Sequence, residues 1–574
     1  MNRIKRILDS LYGRRTAAEI LPAVHALIGE FRKRLRGLPG GGFDERDAML
    51  ITYPDMVRES GSPPLQTLMR FCDEYLGDAV TCIHLLPFFP SSSDDGFSVV
   101  DYLRVDSGLG DWRDIERMAG AYRLMFDAVF NHMSVQSEWF RGFLDDDPLY
   151  RRFFITVPEG TNLSGVVRPR SHPLLTQFRT ASGGSLVWTT FSADQADLNY
   201  AEPAVLLSML EVLLSYAEHG ASLVRLDAIG YIWKKTGTRC IHLPRAHRIV
   251  QLFRAVLDRT APRVLLVTET NVAHRENLSY FGDGANEAQA VYNFALPPLT
   301  LHAFYTGEAR VLSRWAAGLS TPSRKTTFLN FLASHDGIGV NPARGILTGR
   351  EIDALVDGAV RRGALVSFRS GTGGETVPYE LNINYWDALC APGEMEALET
   401  LVDRFMAAHA LMFALPGIPG IYFHSLFGST GWREGVMLSG GNRAVNRKKY
   451  GRAELAGELE DPDGRRARVF GRMKKMLLLR SAFPCFHPQG GCRILSLDPA
   501  VFAIVREAPG GGERVLCLQN VSGHSATVPL EPRRLFGFQP KGLRDILTDC
   551  IHPASGNQGF DLRPYQVAWL QGER

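Results

Sequence analysis

Four short runs end apolar stretches with side chains suited to sugar chemistry. They are Asp127-Ala-Val-Phe-Asn131-His132, Arg225-Leu-Asp227, Glu269 within Val-Thr-Glu-Thr-Asn, and His335-Asp336. Breaking a glycosidic bond with retention takes a carboxylate nucleophile, a protonated carboxylic acid, and polar groups that hold the ring. Four acids, an arginine and two histidines in these runs meet that list. The competing reading is a non-catalytic binding module that merely buries ion pairs.

Each run follows a strand-like segment: Arg123–Phe126, Ser222–Val224, Val264–Thr268 and Thr327–Ala333. Strands that empty into ionisable residues at their C-terminal ends are how a (β/α)8 barrel displays an active site. Eight strand candidates occur: Met49–Tyr53, Val80–Leu86, Arg123–Val129, Ser222–Asp227, Val264–Glu269, Val291–Leu296, Thr327–Ala333 and Ile421–Phe423. Helical intervals such as Val205–His219 separate them, which predicts a parallel α/β barrel. Two connections, of about 90 and about 85 residues, are too long for barrel loops and read as insertions. They contain Leu163–Arg170 with Val187–Tyr200, and Gly371-Thr-Gly-Gly374.

The expected organisation is a helical extension over 1–45, ending near the Leu-Pro-Gly-Gly-Gly-Phe run at 38–43, and barrel segments over 46–135, 205–336 and 401–487. Insertions occupy 136–204 and 337–400, and an antiparallel β domain occupies 488–574. In that last part Ile494–Leu497, Val501–Val505, Val515–Leu518 and Ala526–Leu530 are β-prone and separated by turns.

A formal charge of +3, with 45% apolar and 22% charged residues, fits an ordinary globular enzyme and argues against nucleic-acid or membrane-surface binding. The basic start lacks the apolar core of a signal peptide, and no run reaches the roughly 20 apolar residues of a membrane helix. The eight cysteines show no paired spacing. A reduced cytoplasmic protein without structural zinc is expected.

Together with Leu50-Ile-Thr-Tyr53, His84-Leu-Leu-Pro-Phe-Phe, Asp95-Gly-Phe97, Gly237-Thr-Arg-Cys and Asn442-Arg-Ala-Val-Asn-Arg447, these runs resemble the α-amylase superfamily and its sucrose-phosphorylase-like group. The resemblance runs from about Leu50 to the end. It implies Asp227 as nucleophile, Glu269 as general acid/base, and Asp336 as the acid that grips sugar hydroxyls in the transition state. Arg225, on the same strand face as Asp227, is expected to keep it ionised. Asp336 is expected to raise the pKa of Glu269. His132 and His335 would bond sugar hydroxyls. Asp94, paired with Arg443, would close the glucose pocket, with Phe97 and Phe191 as apolar platforms. Asn131 occupies a calcium-ligand position of many amylases, but phosphorylase-like relatives work without calcium, so no metal or cofactor is expected and phosphate is a co-substrate.

Arg168-Pro-Arg170 matches the Arg-Pro-Arg run of the phosphorylases, where an arginine contacts phosphate. Arg168 is the main candidate, with Tyr231 and Tyr379 as hydroxyl donors. Two positions depart from the sucrose enzymes. Asn271 replaces a histidine two residues beyond the acid/base, and Val377-Pro-Tyr379-Glu380 lacks an Asp and carries Glu where Gln stands. Losing directional groups normally loses the acceptor that needed them, which makes sucrose doubtful. The whole chain looks most like the branch that phosphorolyses 2-O-α-glucosylglycerate. Arg170, His172, Lys234, Arg369 and Arg433 are open choices for the glycerate carboxylate. Glu380 disfavours an anion unless it is paired. Sucrose, glucosylglycerol and sucrose 6′-phosphate remain alternative substrates, with hydrolysis or transglucosylation as the next mechanistic class.

Overall fold

Eight short, almost wholly buried strands close into one parallel barrel, each hydrogen-bonded to its neighbours in chain order. They are Met49–Thr52, Cys82–Leu85, Arg123–Ala128, Ala221–Leu226, Leu265–Thr268, Ala290–Tyr292, Thr327–Phe331 and Ile418–Tyr422. Sequences such as Ala-Ser-Leu-Val-Arg-Leu and Leu-Leu-Val-Thr lack polar alternation because helices cover their outer faces. The computed structural model describes residues 2–35, 41–170, 172–370, 376–390, 396–554 and 559–574. Gly371–Gly374 and residues 38–40 of the glycine-rich run lie outside them.

The barrel expectation holds, with local corrections. The sixth strand stops at Tyr292 and Leu296 instead starts a helix, Leu296–Thr306. Pro297 and Pro298 lie in its first turn, where a missing N–H costs nothing. The eighth strand begins three residues earlier than expected, and Phe423 falls in a following 3-10 turn.

The long connection after the third strand carries two antiparallel pairs, His132–Ser134 with Gln195–Asp197 and Leu175–Thr180 with Gly183–Trp188. The one after the seventh strand carries a three-stranded antiparallel sheet of Ile338–Gly339, Thr376–Asn382 and Leu365–Ser370. The C-terminal region forms a six-stranded antiparallel sheet. Three of the four expected segments join it, while Ala526–Val528 pairs separately with Phe560–Leu562.

Among the described residues of 1–45 there are two helices, α1 (Asn2–Tyr12) and α2 (Arg14–Arg34), joined at Gly13, whose φ of 80° a side chain would strain. In α1, Ile4, Ile7, Leu8 and Leu11 repeat at helical spacing and are buried. Each such side chain contributes about 1.5–3 kcal/mol against exposure. The hairpin packs on the barrel helices Pro203–Glu218 and Pro244–Thr260.

Candidate active site

One cavity at the C-terminal mouth of the barrel gathers residues from most of the strand ends. Asp94, Phe97, His132, Arg170, Phe191, Asp227, Tyr231, Glu269, Asn271, His335, Asp336, Tyr379 and Arg443 all line it. Thirteen of the residues singled out from sequence therefore share one wall.

Arg225 lies beneath that wall, 2% exposed. Its Nη1 donates to Asp227 Oδ1 at 3.0 Å and also pairs with Asp127, its register neighbour on the third strand. Asp127 accepts in turn from His84 Nε2 at 2.8 Å, and the Tyr292 hydroxyl meets His84 Nδ1 at 3.2 Å. Asp127 is wholly buried, so this chain of partners is what allows its charge there. Burial disfavours the charge, but Arg225 and His84 outweigh it and hold Asp127 below the usual carboxylate range.

Asp227 behaves differently from expectation. Burial pushes its carboxyl up to about 8, and Arg225 offsets this only in part, while Glu269 and Asp127 repel it further. Glu269 is raised as well, by burial first and by Asp336 in addition. The two carboxyls thus titrate as a pair holding one proton. Arg225 donates to Asp227, whereas the donor to Glu269 Oε2 is the neutral backbone N–H of Ala228, at 3.1 Å. The proton's favoured place is therefore Glu269. One anion and one acid on a common cavity is the division that retaining transfer requires.

Asp336 is only partly exposed, which disfavours its charge, yet Arg443 and Arg447 drive its pKa well down. Arg443 Nη1 stands 2.5 Å from it. His335 is held neutral, its pKa pushed by burial to about 3, and its ring stacks on Phe97 at 4.8 Å between centroids. Its Nδ1 is buried without a hydrogen-bond partner among the described residues.

Several expectations need correction. Asp94 pairs with Arg447 at 3.1 Å; Arg443 instead binds Asp336 and Glu380. Arg443 is thus held between two carboxylates, and Arg447, four residues on, reaches the loop that carries Asp94 and Asp95. His132 already engages both ring nitrogens: Nε2 with the Phe97 carbonyl at 2.9 Å and Nδ1 with Asn131 at 3.2 Å. A sugar hydroxyl would have to share Nε2. Arg168 is not among the residues lining the cavity, and its guanidinium donates to the His172 carbonyl. Arg170 lines the cavity in its place, 3.7 Å from Glu380 and over the ring of Tyr379. Glu380 is fully buried behind the wall, accepting from the Gly337 N–H at 2.6 Å and pairing with Arg443 at 3.2 Å. Of the other cations considered, Arg433 donates to the Gly363 carbonyl and His172 engages the Pro173 carbonyl. Arg369 acts electrostatically on Tyr231, as Arg170 does.

At the amylase calcium position, the Lys234 ammonium bonds Asn131 Oδ1 at 2.7 Å and pairs with Asp197. The chain thus supplies its own cation there. Among the described residues no group of three or more His, Cys, Asp or Glu side chains could hold a metal ion, and no helix is long and apolar enough to cross a membrane. Among the described residues no disulfide joins two of the cysteines.

His84, Tyr292, Arg447 and Lys234 were missed or left without a place. His84 and Asp127 sit in runs already singled out, and their strand positions carried a usable signal. The partner of Asp94 carried none, because Arg443 and Arg447 are both arginines on one turn.

Acids delivered by successive parallel strands to one barrel mouth are the arrangement of α-amylase-type enzymes, and residues 74–337 match the family model described as the α-amylase catalytic domain. A glucosylglycerate phosphorylase of Allomeiothermus silvanus is 50% identical, over 98% of this chain and 97% of the relative. One from Spirochaeta thermophila is 46% identical, over 99% of this chain and 98% of the relative. The crystal structure of sucrose 6F-phosphate phosphorylase from Thermoanaerobacter thermosaccharolyticum superposes with a TM-score of 0.73 at 25% identity, covering 83% of this chain and 94% of that one. The chain belongs to the glucosylglycerate phosphorylase family, enzymes built on the α-amylase barrel.

Proposed function

We propose that the protein catalyses reversible, retaining phosphorolysis of 2-O-α-glucosylglycerate to α-glucose 1-phosphate and glycerate. Asp227 attacks the anomeric carbon while Glu269 protonates the departing glycerate oxygen, leaving a β-glucosyl ester on Asp227. A phosphate oxygen then attacks the same carbon, gives its proton to Glu269 and frees Asp227. Asp336, kept anionic by Arg443, grips ring hydroxyls as the sugar flattens, and Asp94 with Arg447 closes the far end of the glucose pocket.

The observation that carries the acceptor side is Arg170. It is the arginine of the first insertion that lines the cavity, and Tyr231 and Tyr379 line it too. Glycerate carboxylate and phosphate are both oxyanions that leave and enter on one side of the sugar. A single guanidinium fork can hold each in turn. Glu380 does not repel them, because Arg443 and Arg170 share its charge. In this reading the two insertions, 136–204 and 337–400, are acceptor-side subdomains on a barrel that holds the sugar. No cofactor enters any step, and phosphate is a co-substrate.

The deciding assay measures phosphate-dependent glucose 1-phosphate release from glucosylglycerate, glucosylglycerol, sucrose and sucrose 6′-phosphate. Preference for glucosylglycerate is expected. Free glucose released at the same rate without phosphate would refute phosphorolysis.

A further inference from the structure

The N-terminal hairpin takes no part in the chemistry above, yet Tyr12, at the end of α1, touches two segments that both lead to the cavity wall. Its hydroxyl donates to the Tyr200 carbonyl at 2.9 Å, and the Tyr200 hydroxyl donates to the Phe130 carbonyl at 2.9 Å. Phe130 directly precedes Asn131 and His132. The Tyr12 ring packs on Trp233, with centroids 6.3 Å apart, and Arg245 covers the indole at 5.1 Å. Trp233 sits between Tyr231, which lines the cavity, and Lys234, which holds Asn131. The two routes from Tyr12 therefore meet at Asn131.

The segment after the nucleophile strand needs such support. Ala228, Cys240 and His242 all have φ near +50°, a left-handed conformation that residues with side chains keep only when their surroundings impose it. The hairpin is a firm anchor, since α1 buries its apolar face on Pro244–Thr260 and Arg3 pairs with Asp258 at 2.9 Å.

We propose that Tyr12 is a positioning residue, through which the hairpin braces residues 229–234 so that Tyr231 stands at the acceptor side of the cavity. The identity of the acceptor rests on the phosphorolysis reading; the brace itself does not.

Tyr12→Ala is compared with Leu8→Ala, which loosens the same helix and leaves the Tyr12 side chain in place on Trp233. At similar losses of Tm, Tyr12→Ala should raise the KM for phosphate about tenfold more than Leu8→Ala does, with the rate of α-glucosyl fluoride consumption little changed. Tyr12→Phe, which keeps the ring on Trp233 and loses the bond to Tyr200, should fall between. Backbone hydrogen exchange over 229–240 reads the brace without turnover: Tyr12→Ala should accelerate it about tenfold and Leu8→Ala should not. Equal exchange and equal KM in both variants overturn the brace. If Tyr12→Ala does not fold, Tyr12→Phe and Trp233→Phe carry the same comparison, and unchanged KM and exchange in both overturn it. A wild type that consumes α-glucosyl fluoride but ignores phosphate refutes the phosphorolysis reading alone, and exchange still decides the brace.

Discussion

Arg443 stands 2.5 Å from Asp336 and 3.2 Å from Glu380, so one guanidinium joins the acid after the seventh strand to the sheet inserted beyond it. Arg443→Ala should therefore damage both catalysis and folding. The pair is only partly buried and Glu380 keeps Arg170, so denaturant midpoints at unchanged slope should show a loss of about 1–3 kcal/mol, below that of a fully buried pair. Turnover should fall at least about a hundredfold as Asp336 loses the nearer of the two arginines that hold it ionised and in place. Arg443→Lys should recover part of the stability and little of the rate, because an ammonium cannot reach both carboxylates in one plane.

The shared proton predicts a bell-shaped pH profile. Activity should fall on the acid side as a second proton reaches Asp227, and on the alkaline side, near the value of about 8, as the shared proton leaves the pair. Glu269→Gln should abolish the alkaline limb with donors that need no protonation. The same shift sets a stability trend. The folded state holds this proton where an unfolded carboxyl has released it, so the contribution is complete below about pH 4 and is lost as pH rises toward 8. Asp227→Asn, inactive in turnover, should accordingly raise Tm at pH 8 and barely change it at pH 4.5.

Arg170 and Arg168 should separate in kinetics. Arg170→Ala should raise the KM for phosphate by about tenfold or more and increase the share of glucosyl-enzyme lost to water. Arg168→Ala should do less, since it does not line the cavity. A reversed order, measured as the ratio of glucose to glucose 1-phosphate produced, would return the phosphate role to Arg168.

Lys234→Met should destabilise the protein by about 3–5 kcal/mol, because it strands Asp197, which is fully buried and still bonded to Thr190. Chelators should leave the wild-type Tm unchanged. Millimolar calcium should recover part of the Lys234→Met loss if Asn131 and Asp197 can still bind a cation, which a thermal melt with and without the ion checks.

Much of this was legible in the residues. Apolar strands ending in Asp, Glu, His or Arg mark both the barrel and its active mouth, because a closed parallel sheet offers ionisable groups one polar exit. What stayed illegible depended on distances across insertions. Nothing in Arg168-Pro-Arg170 says which arginine turns inward; that follows from how the first insertion folds against Tyr379 and Glu380. Likewise, Asp94 takes Arg447 in place of the expected Arg443, because Asp336 and Glu380, the latter from another insertion, hold the Arg443 guanidinium. The raised Asp227 was missed for a related reason: sequence shows that a cation is near, but not how completely the protein excludes water.

Lys234 also bears on when the protein becomes complete. Its ammonium is covalently part of the chain, so its effective concentration beside Asp197 is fixed at synthesis and owes nothing to any ion pool. This corner of the molecule can therefore mature in a single unimolecular event, with no loading step to wait for and no free-ion threshold below which it comes apart.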